Sequence, residues 1–274
     1  MIDLHLHSTH SDGTLSPTEL VEMACKNELL AIAITDHDTV SGITEAQQAG
    51  VKNNIGVIAG VELSVESADG YFHLLGYDFD HEHPRIIDAL EKLQHSRMQR
   101  NLEMLERLKD MGIKISFEEL KKESQIGQIG RPHIAKVLRQ KGLVKSIDQA
   151  FDRYLRKGKP AYVSREILSL NEAIALLKQA GGKAVLAHPV QIGYSIDKIK
   201  GLLKKMKSTG LDGIETYYPT QKGRVQRQLT KIAEELALLE TGGSDYHGDI
   251  RANTGMAGKG RLEVPDALYY NLLI

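Results

Sequence analysis

The sequence predicts an α/β barrel interrupted by a helical insertion, and three observations carry that expectation. Short runs rich in Ile, Val, Leu or Ala recur along the chain, and polar clusters follow them. Helical patterns lie between several of these runs, an alternation that builds a parallel sheet. From about residue 82 to residue 156 the rhythm stops and only helical periodicity remains.

Taken in order, the strand candidates are "IDLHLH" from Ile2, "LAIAITDHD" from Leu30, "GVIAGVELS" from Gly56, "YFHLLGYDF" from Tyr71, "KAVLAHP" from Lys183, "DGIETYY" from Asp212 and "LLETGGSDYH" from Leu238. Each is short and apolar enough to be buried on both faces. About seven strands in this alternation favour a closed barrel over an open sheet. In "SPTELVEMACKNE", Ser16 stands as N-cap, Pro17 at the first helical position and Glu19 at N3, the pattern of a capping box. Cys25 falls in that helix and is expected to pack against the core. "LNEAIALLKQAGG" and "SIDKIKGLLKKMKSTG" end in glycine, as helices often do, and "QKGRVQRQLTKIAEELA" is a further helix.

The insertion opens with one long helix, "PRIIDALEKLQHSRMQRNLEMLERLKDMG", starting near Pro84. "SFEELKKES", "RPHIAKVLRQKG" and "SIDQAFDRYLRKG" follow at helical spacing. The expected organisation is a barrel of residues 1–81 and 157–274 with a helical cap of residues 82–156. His73 and His188 lie on the strands flanking the insertion. It is therefore expected to leave and rejoin the barrel at the rim that carries them.

Composition narrows the function classes. The chain has 274 residues, with 35 Lys+Arg against 36 Asp+Glu and a net charge of −1. It offers no general attraction to a long polyanion. There is no Trp, which argues against a stacking platform for single-stranded nucleic acid. A single cysteine excludes an internal disulfide and fits a reducing cytoplasm. No signal peptide and no run of about 18 apolar residues is evident, so no membrane partner is expected, and no protein partner is implied.

Histidine is the unusual count, at 11. His5 and His7 sit two apart on the first strand and so point to one face. Asp12 follows in the loop. His37 follows the second strand, Glu62 closes the third, His73 lies in the fourth, His188 follows the fifth, and Asp245 and His247 follow the last. In parallel barrels the C-terminal strand ends form the functional face. Imidazoles and carboxylates converging there suit divalent metal, and they exceed what one ion needs. Each element alone has a plain structural alternative: "TDHD" as a helix N-cap through Asp38, "AHP" as a proline turn, "SDYH" as a polar loop. The "HLH" pair on an apolar strand has few.

The order "DLHLHSTHSDG", "ITDHDT", "GVELS", "HLLGY", "AHP" and "GSDYHG" resembles the PHP (polymerase and histidinol phosphatase) superfamily over nearly the whole chain. With "GRPHIA" in the insertion, it is similar to the branch of nucleotide phosphatases and RNase AM-like exonucleases. That resemblance implies a distorted seven-stranded (β/α)7 PHP barrel with an inserted small helical domain. It also implies a metal site in which His5, His7, Glu62 and Asp245 hold one ion. Glu62, His73 and His188 would hold a second, and Asp12, His37 and His247 a third. Asp12 stands where other branches carry histidine, a change that weakens the third site or shifts it towards harder ions. Mn2+ is the expected metal, in two or three copies, with Zn2+ and Fe2+ as alternatives.

Such ions lower the pKa of a bound water and neutralise phosphoryl charge, so the expected nucleophile is a metal-bound hydroxide and no protein nucleophile is needed. Arg131 and His133, at a helix start after Gly127 and Gly130, are the expected phosphate contacts. His10 and Tyr217 are weaker candidates. Arg153, Arg156, Lys157, Lys159 and Arg165 form either a solvated face or a guide for a polyanion. The expected substrates are a nucleoside 5′-monophosphate, a 3′,5′-bisphosphate or the 5′ end of a short single-stranded RNA. A histidinol-phosphate phosphatase and a non-catalytic metal-binding module are the rival readings.

Overall fold

The computed structural model describes residues 1–124, 129–248, 255–258 and 260–274; Gly127 lies outside them. The chain divides into two compact units, Met1–Asp88 with Ile167–Ile274, and Ala89–Glu166. These boundaries differ from the expected 81/82 and 156/157 for two reasons. The long helix begins inside the first unit. Ala161 and Val163, beyond the last helix of the insertion, are buried with Met104, Leu108 and Leu138 in the core of the second.

In the first unit the strands are β1 (Ile2–Leu6), β2 (Ala31–Ile34), β3 (Gly56–Ser67), β4 (Gly70–Tyr77), β5 (Leu168–Ser169), β6 (Lys183–Leu186), β7 (Gly213–Tyr217) and β8 (Leu239–Gly242). They pair in the order β1-β2-β3-β4-β6-β7-β8, with the short β5 added to the far part of β3. A parallel bridge between Leu6 and Tyr246, beyond β8, brings the last strand back to the first. Gly243 allows this closure, because a Cβ there would lie 2.3 Å from the Cβ of His5. Helices α1 (Pro17–Lys26) and α2 (Ile43–Asn53) pack against each other, α1 outside β2 and α2 outside β3, and successive residues of β2 serve different layers. Ile32 and Ile34 meet Leu20, Val21 and Ala46 of the helices, whereas Ala31 and Ala33 cluster with Leu75, Tyr77 and Val185. The capping box at Ser16 forms as the sequence predicts. Cys25 is exposed, a correction to its expected place in the core. The apolar stripe of α1 runs through Leu20, Val21 and Ala24, and Cys25 turns away from it.

The sheet is not wholly parallel. β4 runs antiparallel to both β3 and β6. The turn between Ser67 and Gly70 explains why: Ala68 and Asp69 form a two-residue hairpin loop, and Gly70, at φ 131°, opens β4 opposite Ser67. The expected path of the insertion is therefore corrected at one end. The chain leaves β4 at Tyr77, which pairs with Lys183, the first residue of β6, at the end of the barrel away from the histidines. It returns through β5, which pairs with Val65 and Glu66 beyond Glu62, at the histidine end. Helices α7 (Leu170–Gln179), α8 (Ile196–Ser208), α9 (Arg224–Glu235) and α10 (Ala267–Leu272) complete this unit; numbers α3–α6 belong to the insertion.

α3 (Pro84–Asp110) starts in the first unit and continues into the second. At 27 residues it is about 40 Å long. α4 (Phe117–Ser124), α5 (Arg131–Gln140) and α6 (Ile147–Ala150) follow, with a wider turn at Phe151–Leu155. No strand occurs among the described residues of the second unit; its apolar core includes Met104, Leu108, Leu120 and Ile134, and Arg100, Asn101 and His133 are buried in the same unit. Among the described residues no helix is long and apolar enough to cross a membrane.

Candidate metal centre

The first unit brings every one of the strand-end histidines and carboxylates to one place. Glu62 is at its middle and is 1% exposed. Its Oε2 lies 3.4 Å from His5 Nε2, 3.2 Å from His7 Nε2 and 3.1 Å from His37 Nδ1. Its Oε1 lies 2.7 Å from His73 Nδ1 and 3.0 Å from His188 Nε2. Asp245 Oδ1 stands 3.2 Å from His7 Nε2 and 3.5 Å from His5 Nε2. Asp12 Oδ1 stands 3.3 Å from His247 Nε2, and Asp12 Oδ2 stands 3.9 Å from His37 Nε2. His73 reaches the cluster from an antiparallel strand, so it sits in the first half of β4 and not at a C-terminal end.

Three overlapping groups offer ligand atoms within 4.8 Å of one another: His5, His7, Glu62 and Asp245; His7, Asp12, His37 and His247; and His37, Glu62 and His73. The first is the set expected from the sequence. The second adds His7 to the expected Asp12, His37 and His247. The third gains His37, while His188 keeps its place beside Glu62 and lies 3.3 Å from His73. His7 and His37 thus stand between groups.

Divalent metal fits these residues. His5 Nε2, His7 Nδ1 and Nε2, His37 Nδ1 and His247 Nε2 are buried and make no hydrogen bond, although carboxylate oxygens lie close by. Buried polar nitrogens without partners are costly. Nitrogens and oxygens that crowd together without hydrogen-bond alignment are arranged for a shared centre between them. Among the described residues no lysine or arginine pairs with Glu62 or Asp12.

The electrostatics of the metal-free chain express the same need for positive charge. Burial alone would raise Glu62, but His73, His37 and His5 hold its carboxyl well below the usual range. Asp12 and Asp245 are held low against burial in the same way, by His37 and His247 and by His5 and His7 respectively. Burial would lower His7, but the carboxylates of Asp245 and Glu62, each 3.2 Å from its Nε2, prevail and raise it to about 9. His5 is raised well above its ordinary value against burial by Glu215, Glu62 and Asp245. His37 goes the other way, down to about 3, because burial outweighs Glu62 and Asp12.

Several residues that the sequence reading passed over hold the cluster in place. Asp36 accepts from Ser8 N–H at 2.7 Å and from the Ser8 and Ser11 hydroxyls at 2.5 Å, fixing the loop that leads to Asp12. Asp3 accepts from Ser244 and Ala257 main-chain N–H groups at 2.9 and 2.8 Å, next to Asp245; burial pushes it up to about 6 despite these bonds. Glu215, wholly buried, contacts His5 and the His188 main chain. Tyr218, not the expected Tyr217, donates its hydroxyl to Asp245 Oδ2 at 2.8 Å. His10 is hydrogen-bonded through Nδ1 to Ser41 Oγ at 2.8 Å and takes no part in the cluster. Asp38 is not a helix cap: it accepts from Ser64 N–H, while α2 starts after Gly42. Sequence signals existed for some of these. Glu215 is a carboxylate inside an apolar strand, and Asp36 stands beside a ligand candidate in "TDHD".

In the second unit Arg131 opens α5, its guanidinium lying 5.8 and 5.9 Å from the rings of Phe151 and Tyr162. Burial, and the nearby Arg97, lower its pKa. His133 is buried, and its Nδ1 accepts from Gly130 N–H at 3.0 Å. Of the basic run, Arg156 pairs with Asp152 and Arg153 donates to Leu143 O.

A barrel with one reversed strand and overlapping histidine–carboxylate groups at one end defines the PHP class. The chain belongs to the PHP domain family, whose model matches residues 3–252. It is 37% identical over 245 residues to a 5′-3′ exoribonuclease of Haemophilus influenzae, covering 89% of each chain. It is 33% identical over 247 residues to a 3′,5′-nucleoside bisphosphate phosphatase of Chromobacterium violaceum, covering 90% of this chain and 87% of that one. A solved structure from Bifidobacterium adolescentis, provisionally described as a metal-dependent phosphoesterase, superposes with a TM-score of 0.86. It shares 30% identity, over 99% of this chain and 95% of that one.

Proposed function

We propose that the chain is a metal-dependent phosphoesterase that hydrolyses phosphate esters of nucleotides. Its substrates are a nucleoside 5′-monophosphate or 3′,5′-bisphosphate, or the 5′ end of a short RNA. The observation that carries this reading is the position of Glu62, whose two oxygens lie within 3.4 Å of five imidazoles on both sides. A carboxylate so placed is suited to bridge two ions. The relatives named above, which act on RNA ends and nucleoside bisphosphates, support the substrate class.

The residues that would hold metal are His5, His7, Glu62 and Asp245 for one ion. Glu62, His73 and His188 would hold a second, and Asp12, His37 and His247 a third. Mixed imidazole and carboxylate donors suit Mn2+, with Zn2+ and Fe2+ able to compete. When bound, the ions would activate water and neutralise phosphoryl charge. The chain's own residues prepare the site. Tyr218 occupies Asp245 Oδ2, leaving Oδ1 to face His5 and His7. Asp36 keeps the Ser8–Asp12 loop closed.

Arg131 and His133 bind substrate phosphate in this reading. Two observations support Arg131: it has no carboxylate partner among the described residues, and its side chain is held between aromatic rings. For His133, acceptance at Nδ1 from Gly130 N–H places the proton of the neutral ring on Nε2 and fixes the ring in the same first turn of α5 as Arg131.

The test is a panel of phosphate esters assayed with Mn2+: AMP, 3′-phosphoadenosine 5′-phosphate, histidinol phosphate and 5′-phosphorylated short RNA. Nucleotide or RNA turnover well above histidinol phosphate is expected. Exclusive turnover of histidinol phosphate would reject the nucleotide reading.

A further inference from the structure

We propose that Glu215 is a positioning residue for two of the metal positions at once, holding the ring of His5 with one carboxylate oxygen and the main chain of His188 with the other. The inference rests on the metal reading above. Glu215 sits in β7 and is wholly buried. Among the described residues its carboxylate meets no lysine or arginine. A buried carboxylate without a cation is retained only where its hydrogen bonds are good, and both of its oxygens are used.

Oε1 accepts from His5 Nδ1 at 2.8 Å. That bond assigns the proton of the neutral ring to Nδ1 and turns the lone pair of Nε2 towards Glu62 Oε2 and Asp245 Oδ1, at 3.4 and 3.5 Å. His5 Nε2 is one of the buried nitrogens without a hydrogen bond. An imidazole that gives its second N–H to a carboxylate is oriented and made more basic as a ligand.

Oε2 accepts from the His188 N–H at 2.7 Å. His188 has φ 25° and ψ 58°, a backbone that a residue with a Cβ adopts only under constraint. Held there, its ring reaches Glu62 Oε1 at 3.0 Å. Gln221 locks the other side of the arrangement. Its Nε2 donates to Glu215 O at 2.9 Å, and its Oε1 accepts from Val190 N–H at 3.2 Å. Strand β7, the 188–190 turn and the His5 ring therefore form one hydrogen-bonded block. His5 faces one oxygen of Glu62 and His188 the other, so Glu215 ties from outside the two groups that Glu62 joins from within.

Glutamine cannot replace it, because an amide has one accepting oxygen and its NH2 must then face the other N–H. Zn2+ alone is the probe, read by equilibrium dialysis of the full chain and by 15N NMR of the histidines. Glu215→Gln should stay folded by circular dichroism and lose roughly 10- to 100-fold in affinity for two ions. Tyr218→Phe, which keeps the ring and removes the hydroxyl that donates to Asp245, should weaken one. Thr216→Val, on the same strand but away from the ligands, should weaken none. In the zinc-loaded wild type His5 should be protonated on Nδ1. Unchanged zinc binding by Glu215→Gln, or a loss confined to one ion, would overturn the inference. If that variant does not fold, a wild-type His5 protonated on Nε2 would overturn it alone. A wild-type chain that takes up no ion would instead contradict the metal reading, and this inference with it.

Discussion

In the helical unit Met104, Leu108, Leu120 and Ile134 pack together, and ion pairs such as Lys109–Glu106 and Arg107–Glu103 lie on the surface. In the barrel unit the opposite holds at one end. Glu62, Glu215, His5 and His7 are buried at or below 1% exposure, and Asp12, Asp245 and His247 crowd against them. The first arrangement follows the ordinary rule that apolar groups go inside. The second breaks it, and broken rules of this kind gather at functional sites. The helical unit buries mainly apolar groups, with few polar ones such as Asn101 and His133 among them, whereas the barrel's polar end needs something positive to offset its carboxylates.

Glu62→Gln strikes the barrel where that need is greatest. Turnover should fall by roughly three orders of magnitude, about 4 kcal/mol of barrier, with the fold retained; rates are compared alongside bound metal per chain. Leu108→Ala strikes the helical core instead. It should cost about 2–5 kcal/mol of stability and leave metal content unchanged, as read by thermal unfolding and metal analysis. Arg131→Ala tests whether the helical unit is only structural. Losing a charge-assisted bond to phosphate costs about 1.5–3 kcal/mol, so kcat/KM should fall about 10- to 150-fold with metal content intact. Loss of metal, or unaltered kinetics, would remove Arg131 from the phosphate site.

The gentlest probe is pH. In the metal-free chain His7 keeps its proton up to about pH 9. An ion can take its lone pair only after that proton has left, so binding releases it. Apparent metal affinity should therefore fall about tenfold per unit below pH 9 on account of this residue, and level off above it. A flat profile from pH 7 to 9 in a metal titration would show that metal binding displaces no proton from His7 in that range.

Much of this contrast was legible in the residues. The strand runs are short and apolar on both faces, so they announced themselves. His5, His7, Glu62 and Asp245 stand out because polar groups in such runs demand partners. The direction of β4 was missed because a buried strand reads alike whichever way it runs. "ADGYF" held the signal, since Asp-Gly between two strands marks a tight hairpin. With β4 reversed, the insertion leaves from the end away from the histidines, which strand order alone could not tell. Glu215 and Asp36 escaped because their purpose lies in partners far along the chain, His188 and Ser8, that only folding brings near. Cys25 was misplaced by counting it with an apolar stripe that passes one residue before it.

The central claim is that the barrel's buried histidines and carboxylates are a metal site on which phosphoester hydrolysis depends. A chain stripped by chelator and then titrated with Mn2+, with bound ions and AMP or 5′-phosphorylated RNA hydrolysis followed in the same samples, tests it most directly. The expected result is no turnover without metal, and turnover that rises only as the sites around Glu62 fill. Full turnover by the stripped chain, or saturated metal binding with no hydrolysis of any phosphate ester in the panel, would contradict the account.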